Sequence, residues 1–286
     1  MDVLVIGDVN PDIIMRFKRF PNRGKQEITK NVLLKIGGSA ANTAVALSKL
    51  GLSVLFIGSV GNDFFGSFCL EELRKAGVNA NMRLLNVHTG FTVAVEDPEE
   101  RTMFTFRGAN EFLDIKHVPP APWVHISGYW HLTRLRPKIV DIFRQAKEQG
   151  ALTSFDFGSW TDNWSEGKYL KEALESRLID FFFCDEEELQ AFTGMDLESA
   201  ITYASKYAAL GIHMGKKGAL VVVNGERYHV PTRPLKIIVK TGAGDTWNAG
   251  FIWGYLKTKD PRRAGKIGMA VVQHYLETGE VVPTGL

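Results

Sequence analysis

The chain has 286 residues, 45% of them apolar and 23% charged, with a formal net charge of +2. That length buries a substantial core near the upper limit for one domain, and a single α/β domain over residues 1–286 is expected. Lys and Arg are scattered along the chain, not gathered into the basic stripe that nucleic-acid binding needs, and no apolar run reaches the roughly 18 residues of a membrane span.

In chain order, the opening MDVLVIGD has no basic n-region and reads as a strand over residues 3–6, not as a signal peptide. Residues 12–36 follow with β-like runs around the turn PNRGK. Gly37 and Gly38 then lead into a helix over 41–50. Paired glycines let a ligand approach the backbone, and Asn42 in the first helical turn offers the donor and acceptor that a polyol requires. The segment is neither GxGxxG nor a P-loop, since the third glycine and the Lys-Ser/Thr ending are missing. A strand over 54–58 and a helix over 64–76 come next. Residues 89–107 again show β-like runs, turned at DPEE, with no helix between them. Both β-rich stretches are expected to project together as a small antiparallel lid. Phe104 and Phe106 alternate with Thr105 and Arg107, so the aromatics share one face, suited to a nucleobase or a sugar ring, and Arg107 takes the other. The basic set Arg16, Lys18, Arg19, Arg23 and Lys25 fits either an anionic substrate group or a charge-guarded edge strand.

Beyond the lid, strands are expected over 124–127, 152–156, 181–184, 212–214 and 219–223, with helices over 138–149, 186–192 and 197–209. This alternation implies a mostly parallel sheet covered on both faces, with ligands beyond the strands' carboxyl ends. Cys69 and Cys184 have no metal or redox spacing; they read as small buried hydrophobes, in keeping with a cytoplasmic location. A strand over 236–239 is expected to run into Thr241-Gly242-Ala243-Gly244, with a helix beginning near Asp245. Small residues at a helix N-terminus make an anion hole. An acid at its mouth is either a base for an attacking hydroxyl or a residue placed for capping and dipole reasons. The segment alone does not choose between them.

Together the two glycine segments resemble the signatures of the ribokinase-like (PfkB) carbohydrate kinase family, and the likeness covers nearly the whole chain. The N-terminal signature is met by Gly37, Gly38, Asn42, Ala44, Gly51 and Gly61, and the C-terminal one from Gly242 through Gly250. The resemblance implies a three-layer sandwich with a mostly parallel central sheet and a β lid. It implies a kinase that moves the terminal phosphoryl group of ATP or ADP to a hydroxyl of a pentose or hexose. A nucleoside or sugar phosphate such as ribose 1-phosphate is the alternative acceptor, and a catalytically inactive ligand-binding relative is a third reading that the intact Gly-Ala-Gly-Asp opposes. By resemblance Asp245 is the catalytic base and Gly242, Ala243 and Gly244 form the anion hole. Asn10, Asp12, Gly37, Gly38, Asn42, Phe106 and Arg107 form the acceptor site. Asp185, Thr241 and the turn Gly215–Gly218 contact the nucleotide, and Glu188 orders a divalent cation such as Mg2+ through water. The C-terminal signature normally opens with an Asp-Thr pair, whose places here hold Val239 and Lys240. Val239 cannot ligate a hard cation, so no monovalent-cation site is expected, and the ammonium of Lys240 stands where it can replace that charge. A homodimer through the lid is also implied.

Overall fold

The computed structural model of the chain describes every residue except Pro21, Ser159, Asp162, Lys240, Thr284 and Leu286; the expectation for Lys240 therefore lies outside the described residues. The first half contains β1 (Val3–Gly7), β2 (Asn10–Arg16), β3 (Asn31–Gly37), α1 (Ser39–Lys49), β4 (Val54–Gly61), α2 (Phe64–Lys75), β5 (Asn79–Leu85), β6 (Phe91–Glu96), β7 (Arg101–Phe106), β8 (Trp123–Ser127) and α3 (Ile139–Glu148). The second contains β9 (Leu152–Asp156), α4 (Lys168–Glu175), β10 (Phe181–Asp185), α5 (Glu186–Thr193), α6 (Leu197–Ala204), β11 (Ala209–His213), β12 (Ala219–Val223), β13 (Glu226–Val230), α7 (Ala243–Thr258) and α8 (Pro261–Thr278).

Among the described residues, the strands form a nine-stranded sheet in the order β13-β12-β11-β10-β9-β8-β1-β4-β5. From β11 to β5 neighbouring strands are parallel, and β12 and β13 close one edge as antiparallel strands. The central strands are buried almost throughout because both faces are covered, and β1 and β10 are nearly continuous apolar runs. Alternate side chains of β1 show this: Leu4 and Ile6 enter the core beneath α3–α6, while Val3 and Val5 enter the one beneath α1, α2, α7 and α8. Each such side chain stabilises the fold by about 1.5–3 kcal/mol on burial. Cys69 and Cys184 are buried free thiols, one in each core. No described helix is long and apolar enough to cross a membrane.

The lid is the second sheet, ordered β3-β2-β6-β7. Two antiparallel hairpins, β2–β3 and β6–β7, are joined along a parallel β2–β6 pair. Its strands span residues 10–16, 31–37, 91–96 and 101–106.

Three local expectations are corrected. Residues 236–239 are not a strand: Pro231 and Pro234 interrupt the approach to any ladder, and the amides of Ile238 and Val239 donate instead to the carbonyl of Leu276 in the last turns of α8. The helix expected over 197–209 ends at Ala204, because Ala209 already opens β11. And β5, β13, α4 and α8 were not expected. The edge strand β5 pairs only with β4 and reads NANMRLL, which gives no apolar run.

Candidate active site

The carboxyl ends of the central strands collect acids. Asp8 follows β1, Asp156 ends β9, Asp185 ends β10, and Asp245 lies in the first turn of α7. Asn42 Nδ2 donates to Asp245 Oδ2 at 2.9 Å, and the Ser39 hydroxyl bonds Asp245 Oδ1. The same hydroxyl lies 3.1 Å from Asp156 Oδ2, and Ser127 Oγ is 2.7 Å from it. Burial pushes the Asp245 carboxyl up to about 8, helped by the charge of Asp156 and opposed by the bonds from Ser39 and Asn42. Burial likewise raises Asp156, against hydrogen bonds from Ser127, Ser39 and Asn248. Ser39 therefore sits between two carboxylates with one hydrogen to give.

On the lid side, Asn10 Nδ2 donates to Asp12 Oδ1 at 3.0 Å and reaches Thr92 Oγ1 at 3.3 Å. Asp12 is buried, which raises its carboxyl to about 6 against the pull of the Arg101 guanidinium. Gly37 is required beside it: a Cβ there would stand 2.2 Å from Asp12 Oδ1. Gly38 precedes α1, placing Asn42 on the helical face that meets Asp245.

The phosphoryl side is the N-terminus of α7. Gly242 is its N-cap at φ 78°, a left-handed backbone that favours glycine. The amides of Ala243 and Gly244 follow in the first helical turn, where they have no intrahelical acceptor. Behind them, a Cβ at Gly244 would meet the His213 ring at 3.2 Å, and His213 Nε2 bonds Asn248 Oδ1 at 3.0 Å. Tyr275 Oη donates to the Thr241 carbonyl at 2.9 Å, steadying the loop. The Gly215–Gly218 turn connects β11 to antiparallel β12, directly after His213.

Asp185 and Glu188 form a reciprocal cap on α5: Glu188 N–H donates to Asp185 Oδ1 at 2.7 Å, and Asp185 N–H to Glu188 Oε2 at 2.9 Å. Burial raises the Glu188 carboxyl strongly, and the charges of Asp156 and Asp185 add to it. Among the described residues no three His, Cys, Asp or Glu side chains form a direct metal cage. Converging acids, with the Asp185 and Glu188 carboxylates each already tied to a backbone amide, fit a hydrated divalent ion held through water.

Between lid and body lies a cleft of about 360 Å³, walled by Asp12, Arg16, Lys35, Asn42, Thr241 and Tyr275 among others. Strand register separates the expected aromatics from it. Asp12, Thr92 and Thr105 share one face of the lid, with Thr92 and Thr105 hydroxyls 3.1 Å apart. Phe104 and Phe106 therefore point to the opposite face, where Phe106 is 46% exposed and packs on Phe91. Arg107 lies past the strand end and pairs with Glu111 at 3.9 Å.

Four residues absent from the sequence expectations belong to this site: Asp8, Ser39, Asp156 and Arg101. Asp8 accepts from the Ala40 amide at 3.0 Å and lies 3.0 Å from His131 Nδ1. Asp156 carries a signal in retrospect, a carboxylate ending an otherwise uncharged strand. Arg101 is the first residue of β7, and its Nη1 bonds the Thr241 hydroxyl.

The model of pfkB family carbohydrate kinases matches residues 1–281. A fructokinase of Klebsiella pneumoniae is 32% identical, over 76% of this chain and 76% of its own. An ATP-dependent ribose-1-phosphate kinase of Halopiger xanaduensis is 30% identical, over 92% of this chain and 87% of its own. A probable sugar kinase of Rhizobium etli has the same fold, with a TM-score of 0.84 at 23% identity over 96% of this chain and 92% of that one.

Proposed function

The chain belongs to the pfkB family of carbohydrate kinases, and we propose that within it the protein phosphorylates a hydroxyl of a pentose or hexose, with ATP or ADP as donor and Asp245 as general base. It is a sugar or nucleoside phosphotransferase. The observation that carries the finer reading is the pairing of Asp245 with Asn42 and Ser39 at the mouth of an unpartnered helix N-terminus.

In this reading Asp12, Asn10 and Asn42 hold the acceptor's hydroxyls. Asp245 takes the proton of the attacking hydroxyl as its oxygen bonds phosphorus and the bond to the nucleotide's bridging oxygen breaks. The amides of Gly242, Ala243 and Gly244 bond the phosphoryl oxygens as charge gathers there. A divalent cation such as Mg2+, when bound, neutralises charge across the nucleotide's phosphates; Glu188 and Asp185 would hold its waters. The nucleotide runs from Thr241 toward the Gly215–Gly218 turn.

A sugar phosphate is the second reading, favoured by Arg16 and Lys35 on the cleft wall and by the ribose-1-phosphate kinase among the relatives. The outer lid face supports a homodimer joined through the lid, since Val32, Leu34, Phe104 and Phe106 are all exposed there. Two buried free thiols fit a cytoplasmic setting. The test is a panel of sugars, sugar phosphates and nucleosides, each with Mg·ATP and Mg·ADP. Transfer to a free pentose or hexose above all others is expected. Transfer to a sugar phosphate or nucleoside alone would move the assignment to that class.

A further inference from the structure

The lid reaches across the cleft to the phosphoryl side, where Arg101 meets Thr241. β2 and β6 run outward from the body and β7 returns, so Arg16, Glu96 and Arg101 form a row across three strands at the lid's far end. That row lies over the loop before α7: Arg101 Nη1 bonds the hydroxyl of Thr241, the residue preceding the anion-hole glycine. The guanidinium is largely enclosed, its side chain 15% exposed. Its other donors are under-used. Nη2 is buried with no hydrogen-bond partner among the described residues, and so is Nε, which stands 3.7 Å from Glu96 Oε1. Glu96 does not satisfy it: Oε1 stands beyond hydrogen-bond distance, and Oε2 is turned to Arg16 Nε at 3.0 Å.

Buried polar atoms are almost always satisfied, so a guanidinium with idle donors, packed against the cleft-wall residues Thr241 and Glu96, points to a missing acceptor. Its position says which one. The same guanidinium acts on Asp12, the carboxylate facing the acceptor, and on Thr241, beside the phosphoryl loop. It thus bears on both sides of the cleft.

We propose that Arg101 is a lid-borne ligand of the transferred phosphoryl group, binding its oxygens opposite the Gly242–Gly244 amides. The inference rests on the kinase reading and adds a residue to it. Arginine suits the task because its planar fork meets phosphate oxygens with two parallel bonds. With ATP as donor, binding the triphosphate would then draw the lid tip onto the α7 loop, and the diphosphate product, lacking the group to be moved, would not.

The experiment compares binding of ADP with that of the β,γ-imido analogue of ATP, by calorimetry in Mg2+ without acceptor, for wild type, Arg101→Gln and Arg101→Lys. Arg101→Gln should lower affinity for the triphosphate analogue on the order of ten- to a hundredfold, the range of a lost charge-assisted bond, and leave ADP affinity unchanged. Arg101→Lys, which keeps the charge but not the fork, should lose less. Thermal melts of the variants matching wild type would show that the lid tip is not needed for folding. An undiminished preference for the triphosphate in Arg101→Gln would overturn the proposal. So would a loss confined to binding of a phosphorylated acceptor, which would assign Arg101 to that molecule's own phosphate. Wild-type protein that bound neither nucleotide would overturn the kinase reading, and this inference with it.

Discussion

Asp245→Asn removes one titrating proton and little else. The amide keeps the carboxylate's shape. Its oxygen can accept from Asn42, and its nitrogen can donate to Ser39 Oγ, freeing the Ser39 hydrogen for Asp156. Two effects should separate in this variant. Turnover should fall on the order of a hundredfold or more, the usual scale for a general base. Stability should rise. The Asp245 carboxyl is lifted from 3.8 to about 8 in the folded protein, so the folded state holds the proton more tightly than the unfolded one. Its ionisation therefore costs nothing below the unfolded value and costs most above the folded one. At about 1.4 kcal/mol per unit the ceiling is about 6 kcal/mol, and relaxation with water entry reduces this to about 2–3 kcal/mol. Melting temperatures of metal-free, nucleotide-free wild type and variant should nearly coincide near the unfolded value, about 4. They should diverge through neutrality, and the variant should melt about 5 °C higher above pH 8. Equal melting temperatures at high pH would refute the claim that burial and Asp156 strain this carboxylate. Unchanged turnover would refute its role as base.

Asp12→Ala should weaken acceptor binding by tenfold or more while calorimetry finds nucleotide affinity nearly unchanged; equal losses for both ligands would put Asp12 outside the acceptor site. Glu188→Gln keeps the cap on α5 but cannot ionise when the cation arrives, so the Mg2+ concentration giving half-maximal rate should rise severalfold, and an unaltered Mg2+ titration would exclude Glu188 from ordering the ion. In wild-type protein kcat/KM should climb with pH toward about 8 as Asp245 ionises, and Asp156→Asn, by deleting the neighbouring charge, should carry that limb to lower pH. With Val239 in place of a carboxylate, rates at constant ionic strength should be the same in potassium as in a bulky organic cation; strong potassium activation would contradict this.

What the sequence makes legible is what adjacent residues decide. Strand-helix alternation carries the main sheet because both faces of β1, β8, β9 and β10 are buried, leaving short, mostly uncharged runs between the helical patterns. The turn at Gly242 and the helix after it are local, and so is the glycine pair before α1. The rest depends on register and reach. Phe104 and Phe106 were correctly placed on one face, but which face meets the cleft is fixed by the pairing of Thr105 with Thr92 and of Thr92 with Asp12. The partnership of Ser39 with Asp156 and Asp245 joins residues 117 and 206 positions apart, and no spacing rule reaches that far. Arg101 follows the DPEE turn in the sequence, and only the arch of the lid brings it to Thr241. Residues 236–239 have the β-branched composition of a strand, yet no neighbouring strand remains to pair with them, and the end of α8 takes their amides.

The order in which the layers are synthesised has a consequence for the newborn chain. The aromatic strip on one sheet face is roofed by α7 and α8 late in the sequence: Trp123 packs on Tyr255, Phe181 on Phe251, and Phe183 on Trp247. When β10 has left the ribosome, its cover has not yet been made. At about 5–20 residues per second, the stretch from Phe183 to Phe251 takes several seconds to translate, and for that time Trp123, Phe181 and Phe183 are open to water and to other nascent chains. Truncation anywhere before α7 makes that exposure permanent. Such fragments should therefore be strong clients of chaperones that bind aromatic surface, and they should aggregate when those chaperones are depleted.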